Sequence, residues 1–192
     1  MNENYRTQGE LVDVIHLRGR IEAQLQNALT GAPVGPLIID NNVVVTAGRR
    51  WVLSRIITND SNTITHIAVG TSVTAPATGD SALGSEVGTS GRLAASVTTT
   101  GLGSNPPSVQ FTVTFATNQG NGTLAEAGLF NSNSAGTMLS HVTFSTINKT
   151  TLFLIIYKLL KRSIYAVMHN IKFFLIDSNS EIDNEAELVY CN

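Results

Sequence analysis

The sequence predicts a mainly β domain, an antiparallel β-sandwich or small barrel with one short helix near residues 47–57 and an N-terminal arm. Three observations predict it. Between Thr58 and Thr151 lie 19 of the chain's 22 threonines, a residue whose branched Cβ suits a pleated strand. The same stretch alternates apolar and polar residues with the period of two that belongs to a strand with one wet face. Short runs of Gly, Asn and Ser separate these segments, where a parallel sheet would need crossover helices.

Taken in order, residues 1–36 form the arm, with a possible short helix. In LVDVIHL, Leu11, Asp13, Ile15 and Leu17 alternate with Val12, Val14 and His16, the pattern of a short strand. Over residues 20–29, Ile21, Leu25, Ala28 and Leu29 fall on one face of a helix. TGAPVGP, residues 30–36, reads as a linker, because two prolines and two glycines interrupt both regular patterns.

Residues 37–151 form the β domain. Residues 37–39 and 43–45 are two strands, or one strand interrupted at Asp40, Asn41 and Asn42. Thr46 is placed to cap a helix of about three turns. That helix directs Trp51, Val52 and Ile56 toward the core, with Leu53 at the margin, and leaves Arg49, Arg50, Ser54 and Arg55 polar. Further strands are expected over residues 65–70, 92–99, 108–115 and 137–144. In SVQFTVTF, Val109, Phe111, Val113 and Phe115 share one face. NQGNG, residues 118–122, carries the turn residues that would join this strand to TLAEAGLF as a hairpin.

After residue 151 the character changes. All 16 glycines and all five prolines lie at or before residue 136. LFLIIYKLLKRSIYAVMHNIKFFLI is nearly all apolar, yet Lys158, Lys161, Arg162, His169 and Lys172 break it well short of the roughly 20 apolar residues that span a bilayer. No membrane partner is expected. Residues 152–192 therefore either continue the domain with a last strand, TLFLIIY, buried on both faces, or are a fused end or a change of reading frame. Residues 177–187 are an acidic, polar tail.

Composition excludes several functions. Twelve Lys and Arg against 14 Asp and Glu give a net charge of -2, so no basic surplus exists to neutralise a nucleic-acid backbone. Cys191 is the only cysteine and can form neither an internal disulfide nor a multi-cysteine zinc site. MNENYRTQGE has no apolar signal segment, which points to a protein that is cytosolic when made.

Sites for chemistry are sparse. His16, His66, His141 and His169 are scattered; His66 and His141 fall in expected strands and can face one another, but two imidazoles without a third ligand make no metal site. GLGSNP, residues 101–106, begins like a dinucleotide loop but has Pro106 where the third glycine belongs. GTSG, residues 88–91, is one residue too short for a nucleophile elbow at Ser90. Glu126, among small residues in TLAEAGLF, reads as a partly buried, hydrogen-bonded structural carboxylate. No catalytic, cofactor-binding or metal-binding residue is assigned, and the chain is not expected to be an enzyme.

The segment ITHIAVGTSVTAPATGDSALGSEVG at 64–88, followed by VQFTVTFATNQGNGTLAEAGLFNSNSAGTMLSHVTFSTINKT at 109–150, resembles tailed-bacteriophage structural proteins of the tail-fibre or tail-collar-like group. The motifs that carry the resemblance are AVGT, TAP followed by DSAL, EAGLFN and the closing INKT, with NNVVVTAGRRWVLSRI at 41–56 upstream. The resemblance covers residues 41–150. It implies a non-enzymatic virion component, a tail, neck or collar fibre subunit, made in the host cytoplasm and assembled into the particle. The alternatives are a capsid decoration protein that stabilises the head shell and a host-surface glycan-binding module. The partners it implies are other virion proteins and further copies of the chain in a symmetric homo-oligomer, a trimer first.

Overall fold

Two five-stranded antiparallel sheets form the sandwich in the computed structural model of the chain, which describes residues 16–58, 62–100 and 108–164. The first sheet runs β2 (Pro33–Asn41), β1 (His16–Asn27), β10 (Phe153–Ile164), β7 (Ser108–Phe115) and β6 (Ser96–Thr100). The second runs β3 (Val43–Val44), β9 (Met138–Lys149), β8 (Gly122–Phe130), β4 (His66–Gly70) and β5 (Arg92–Ala94). The helix α1 (Thr46–Ile57) packs against β9.

The main core lies between the sheets. Ile21, Phe115, Ile155 and Tyr157 from the first sheet meet Ile67, Leu124 and Leu129 from the second, all fully buried. Tyr157 meets Phe115 edge to face, with ring centroids 5.8 Å apart. Its hydroxyl is buried without a hydrogen-bond partner, and burial pushes the phenol well above its usual titration range.

Strands appear where alternation was strongest, over 66–70, 108–115 and 138–149, and the helix spans 46–57. Residues 37–39 lie in β2 and Val43–Val44 form β3 in the opposite sheet, with Asn42 at the switch and Val45 beyond the strand. Six expectations change. The helix expected over residues 20–29 is strand β1: Ile21 and Ala23 face the core at a period of two, and the segment pairs with β10 on one side and β2 on the other. Both periods fit these few apolar residues, and the sheet decides because it satisfies the backbone on both sides.

The linker at 30–36 is a turn leading into β2. Gly31 takes a positive φ of 68°, and the Asn27 side chain accepts from the backbone N–H of Leu29 and Thr30. Pro33 and Pro36 are tolerated because β2 is an edge strand, where a missing donor costs no ladder bond. Residues 92–99 divide at Ala95, so that β5 joins the second sheet and β6 the first.

The expected hairpin through NQGNG is absent. β7 lies in the first sheet and β8 in the second, so residues 116–121 cross the sandwich, and β8 pairs with β9 and β4 instead. Asn and Gly reverse the chain as anticipated, with Gly120 at φ 56°, but a reversal can change sheets as readily as return along one. Thr46 is not the cap of α1: Val45 is, without a side-chain cap bond, and the Thr46 N–H donates to Thr78 O at 2.7 Å.

TLFLIIY enters β10, a central strand paired along its length with β1 and in part with β7. Ile155 and Tyr157 are buried. On the opposite face Leu154 and Ile156 are half-buried and Lys158 is exposed, so only one face is fully covered. Residues 1–15, 59–61, 101–107 and 165–192 lie outside the described residues, and with them the expectations for Leu11 to Ile15, GLGSNP, His169, Cys191 and the acidic tail.

Candidate functional site

The second sheet has an outer face that a sandwich would ordinarily leave to water. Cross-strand register aligns Gly70 with Glu126 and Thr143, and Ala68 with Gly128 and His141. Residues 71–88 cover this face and close a small second core of Val45, Ala68, Leu83, Phe130 and Met138. Hydrophobic contact alone is thin there, and the polar groups beneath the loop hold it down.

Glu126 is fully buried. Its Oε1 accepts from the backbone N–H of Ser85 at 2.7 Å and Ser72 at 3.2 Å, and its Oε2 accepts from Gly84 N–H at 2.9 Å. The same Oε2 lies 2.9 Å from His141 Nε2, and His141 Nδ1 lies 2.7 Å from Asp80 Oδ2. Asp80 in turn accepts the Ala77 N–H at 2.8 Å. Loop, Asp80, His141, Glu126 and loop thus form one continuous hydrogen-bonded chain. Each imidazole nitrogen faces a carboxylate oxygen. The His141 hydrogen bond, followed by that of Ala77, holds the Asp80 carboxyl below the usual aspartate range.

Two glycines make room for this arrangement. A Cβ on Gly70 would stand 2.3 Å from Glu126 Oε1 and 2.5 Å from Ser85 O, and one on Gly84 would stand 2.6 Å from Ser72 Oγ. Both approaches are closer than atoms tolerate, so the loop seats only over bare backbone.

Two further buried cations fasten neighbouring turns. Arg92 grips Glu86 with two hydrogen bonds of 2.8 and 2.5 Å, donates to Ala135 O at 2.8 Å, and lies 3.8 Å from the centre of the Phe130 ring. It ties the end of the covering loop to residues 131–137. Lys149, 1% exposed, donates to Ala116 O at 2.7 Å and Asn121 Oδ1 at 2.8 Å, closing the crossover from β7 to β8. Burial lowers the pKa of this amine.

The chemistry open to this cluster is limited by its completeness. Both His141 nitrogens are engaged by carboxylates, so neither is left to serve as a base toward a hydroxyl or thiol. Asp80 and Glu126 sit at opposite ends of the ring, so the three groups do not surround a common point. Among the described residues, no group of three or more His, Cys, Asp or Glu is placed to hold a metal ion. The arrangement is a clamp.

Glu126 is the hydrogen-bonded carboxylate its sequence context indicated, and is fully rather than partly buried. His66 and His141 do not meet: His66 stands opposite Phe130 and His141 opposite Gly128. His66 Nδ1 is 2.7 Å from Thr65 Oγ1, and burial, then the Arg92 charge, lower its pKa. GTSG contains a single 3₁₀ turn, Thr89–Gly91. Trp51 is half-buried under Arg55, whose guanidinium carbon lies 4.6 Å from the ring centre. Sequence reasoning missed Asp80, Arg92 and Lys149 as buried or bonded groups. Their partners are 33 to 61 residues away for the contacts of Lys149 with Ala116 and of Asp80 with His141, beyond any local spacing rule. Comparison with family models, curated proteins and solved structures finds no match for the chain.

Proposed function

We propose that the chain is a non-enzymatic structural subunit of a tailed-bacteriophage virion, of the tail, neck or collar fibre type. One observation carries the reading: the motifs behind the resemblance supply both carboxylates of the clamp, which His141 joins, and several of the buried groups beside it. Gly70 comes from AVGT, Asp80 and Leu83 from DSAL, Glu126 and Phe130 from EAGLFN, and Lys149 from INKT. These residues spend their polar atoms on holding loops closed, which suits a building block whose surface shape must be reproducible.

Its partners are other virion proteins and further copies of itself about a symmetry axis, a trimer first. The glycan-binding alternative has less support, because the chain's single Trp51 is stacked under Arg55 and does not offer a free face to a sugar ring. Quantitative mass spectrometry of gradient-purified particles tests the proposal. A fixed copy number in multiples of three or six, co-purifying through high salt, is the expected result. Absence of the chain from infectious particles would overturn it.

A further inference from the structure

We propose that the exposed face of α1 formed by Arg49, Arg50 and Leu53 is the docking site for this chain's own acidic segment, residues 177–187. The inference is independent of the virion reading.

The helix is held from one side. Gly48 lies so close to β9 that a Cβ there would stand 2.3 Å from Leu139 O, and Trp51 and Val52 pack on the main core. The other side is left open. Arg49 and Arg50 are exposed, Leu53 is 55% exposed, and among the described residues neither arginine has an ion pair. An exposed leucine three and four residues from two unpaired guanidinium groups is an apolar spot with a cationic rim.

The complementary sequence is in the same chain. Residues 177–187 hold five carboxylates, Asp177, Glu181, Asp183, Glu185 and Glu187, with no Lys or Arg, and Ile182 lies among them. The geometry of the exit also fits. Ile164, the last residue of β10, pairs with His16, and Asn42, which leads through β3 to α1, donates to Gly19 O only three residues along the same strand. The chain therefore leaves β10 at the end of the sandwich where the helix segment begins. The 13 residues from Ile164 to Asp177 can reach roughly 40 Å if extended, enough to bring the acidic stretch onto a helix roughly 18 Å long.

Cys191, the only thiol, lies four residues beyond Glu187 and allows a direct test on the full chain. A nitroxide is attached there and the backbone amide spectrum of the isotope-labelled protein is recorded. Selective loss of intensity at α1 amides is expected. It should be restored by raising salt from about 0.1 M to about 1 M, which shortens the screening length from about 10 Å to about 3 Å. It should also be restored by the pair Arg49→Glu and Arg50→Glu, and return when Glu181, Asp183, Glu185 and Glu187 are all changed to Lys in that background. Amides of the second sheet serve as the check that each variant is folded. Unchanged α1 amides, losses centred instead on Leu37, Ile39 and Ile156, or losses insensitive to salt would overturn the proposal. So would α1 losses seen only when isotope-labelled chain without nitroxide is mixed with nitroxide-bearing chain, since the occupant would then be a second copy.

Discussion

Replacing Glu126 by Ala removes one carboxylate and leaves four donors facing empty space: the N–H groups of Ser72, Gly84 and Ser85 and the Nε2 of His141. Hydrogen bonds to a charged acceptor contribute about 1.5 to 3 kcal/mol each, but the four cannot add in full, because a loop that detaches lets its amides find water. The loss is limited by the cost of opening residues 71–88 and exposing the small core of Leu83, Phe130 and Met138. A buried donor left unsatisfied costs about 1 to 3 kcal/mol, so about 3 to 5 kcal/mol is the expected loss for Glu126→Ala, a large part of the roughly 5 to 15 kcal/mol that holds a domain together. Glu126→Gln keeps the shape but turns an amide NH2 toward donors, and should fall about midway. Urea unfolding gives the totals, and hydrogen exchange at Ser72, Gly84 and Ser85 gives the local effect, which should exceed that at Phe115 in the main core. A Glu126→Ala protein within about 1 kcal/mol of the parent, with those three amides still protected, would refute the clamp, since a loss below the lower end of the single-bond range leaves nothing for four bonds to explain.

Other consequences follow from the same contacts. Tyr157→Phe removes a buried hydroxyl without a partner and should stabilise by about 1 kcal/mol, raising the melting temperature by about 2 to 4 °C; a lower melting temperature would contradict the packing described. Gly70→Ala drives a Cβ to 2.5 Å from Ser85 O and should cost about 1 to 3 kcal/mol in urea unfolding, and most of that cost should vanish in the Glu126→Ala background if the loop is already detached. Asp80 has a depressed pKa in the folded chain, so its stabilising effect is complete above the ordinary aspartate value of about 3.9 and is lost as pH falls through the lower, folded value. Asp80→Asn should therefore flatten the acid limb of the stability curve below about pH 4, and an unchanged limb would count against the Asp80–His141 contact.

What the sequence made legible was local. SVQFTVTF alternates so strictly that its strand and its buried face follow from period alone, and AGRRWVLSRII reads as a helix because Trp51 and Val52 can turn to the core while Arg49 and Arg50 stay outside. The residues 20–29 were ambiguous because Ile21 and Leu25 fit both periods, and only a partner strand 130 or so positions away, in β10, resolves them. The turn at NQGNG was visible, but its destination was not, since Asn and Gly reverse a chain without specifying which sheet receives it. At the site, Glu126 was legible as a partly buried, hydrogen-bonded carboxylate because small residues surround it. Its acceptance of loop amides 41, 42 and 54 residues away, and of His141, depends on the topology that brings residues 71–88 over the second sheet.

A reconstruction of the purified virus particle at side-chain resolution tests the central claim most directly. The account predicts density in the tail, neck or collar into which the two sheets fit as a repeated unit, with the loop at residues 71–88 closed over Glu126 and each copy bounded by its own kind and by other virion proteins. A particle fully accounted for by other chains, with this chain found only in the infected cell, would contradict it.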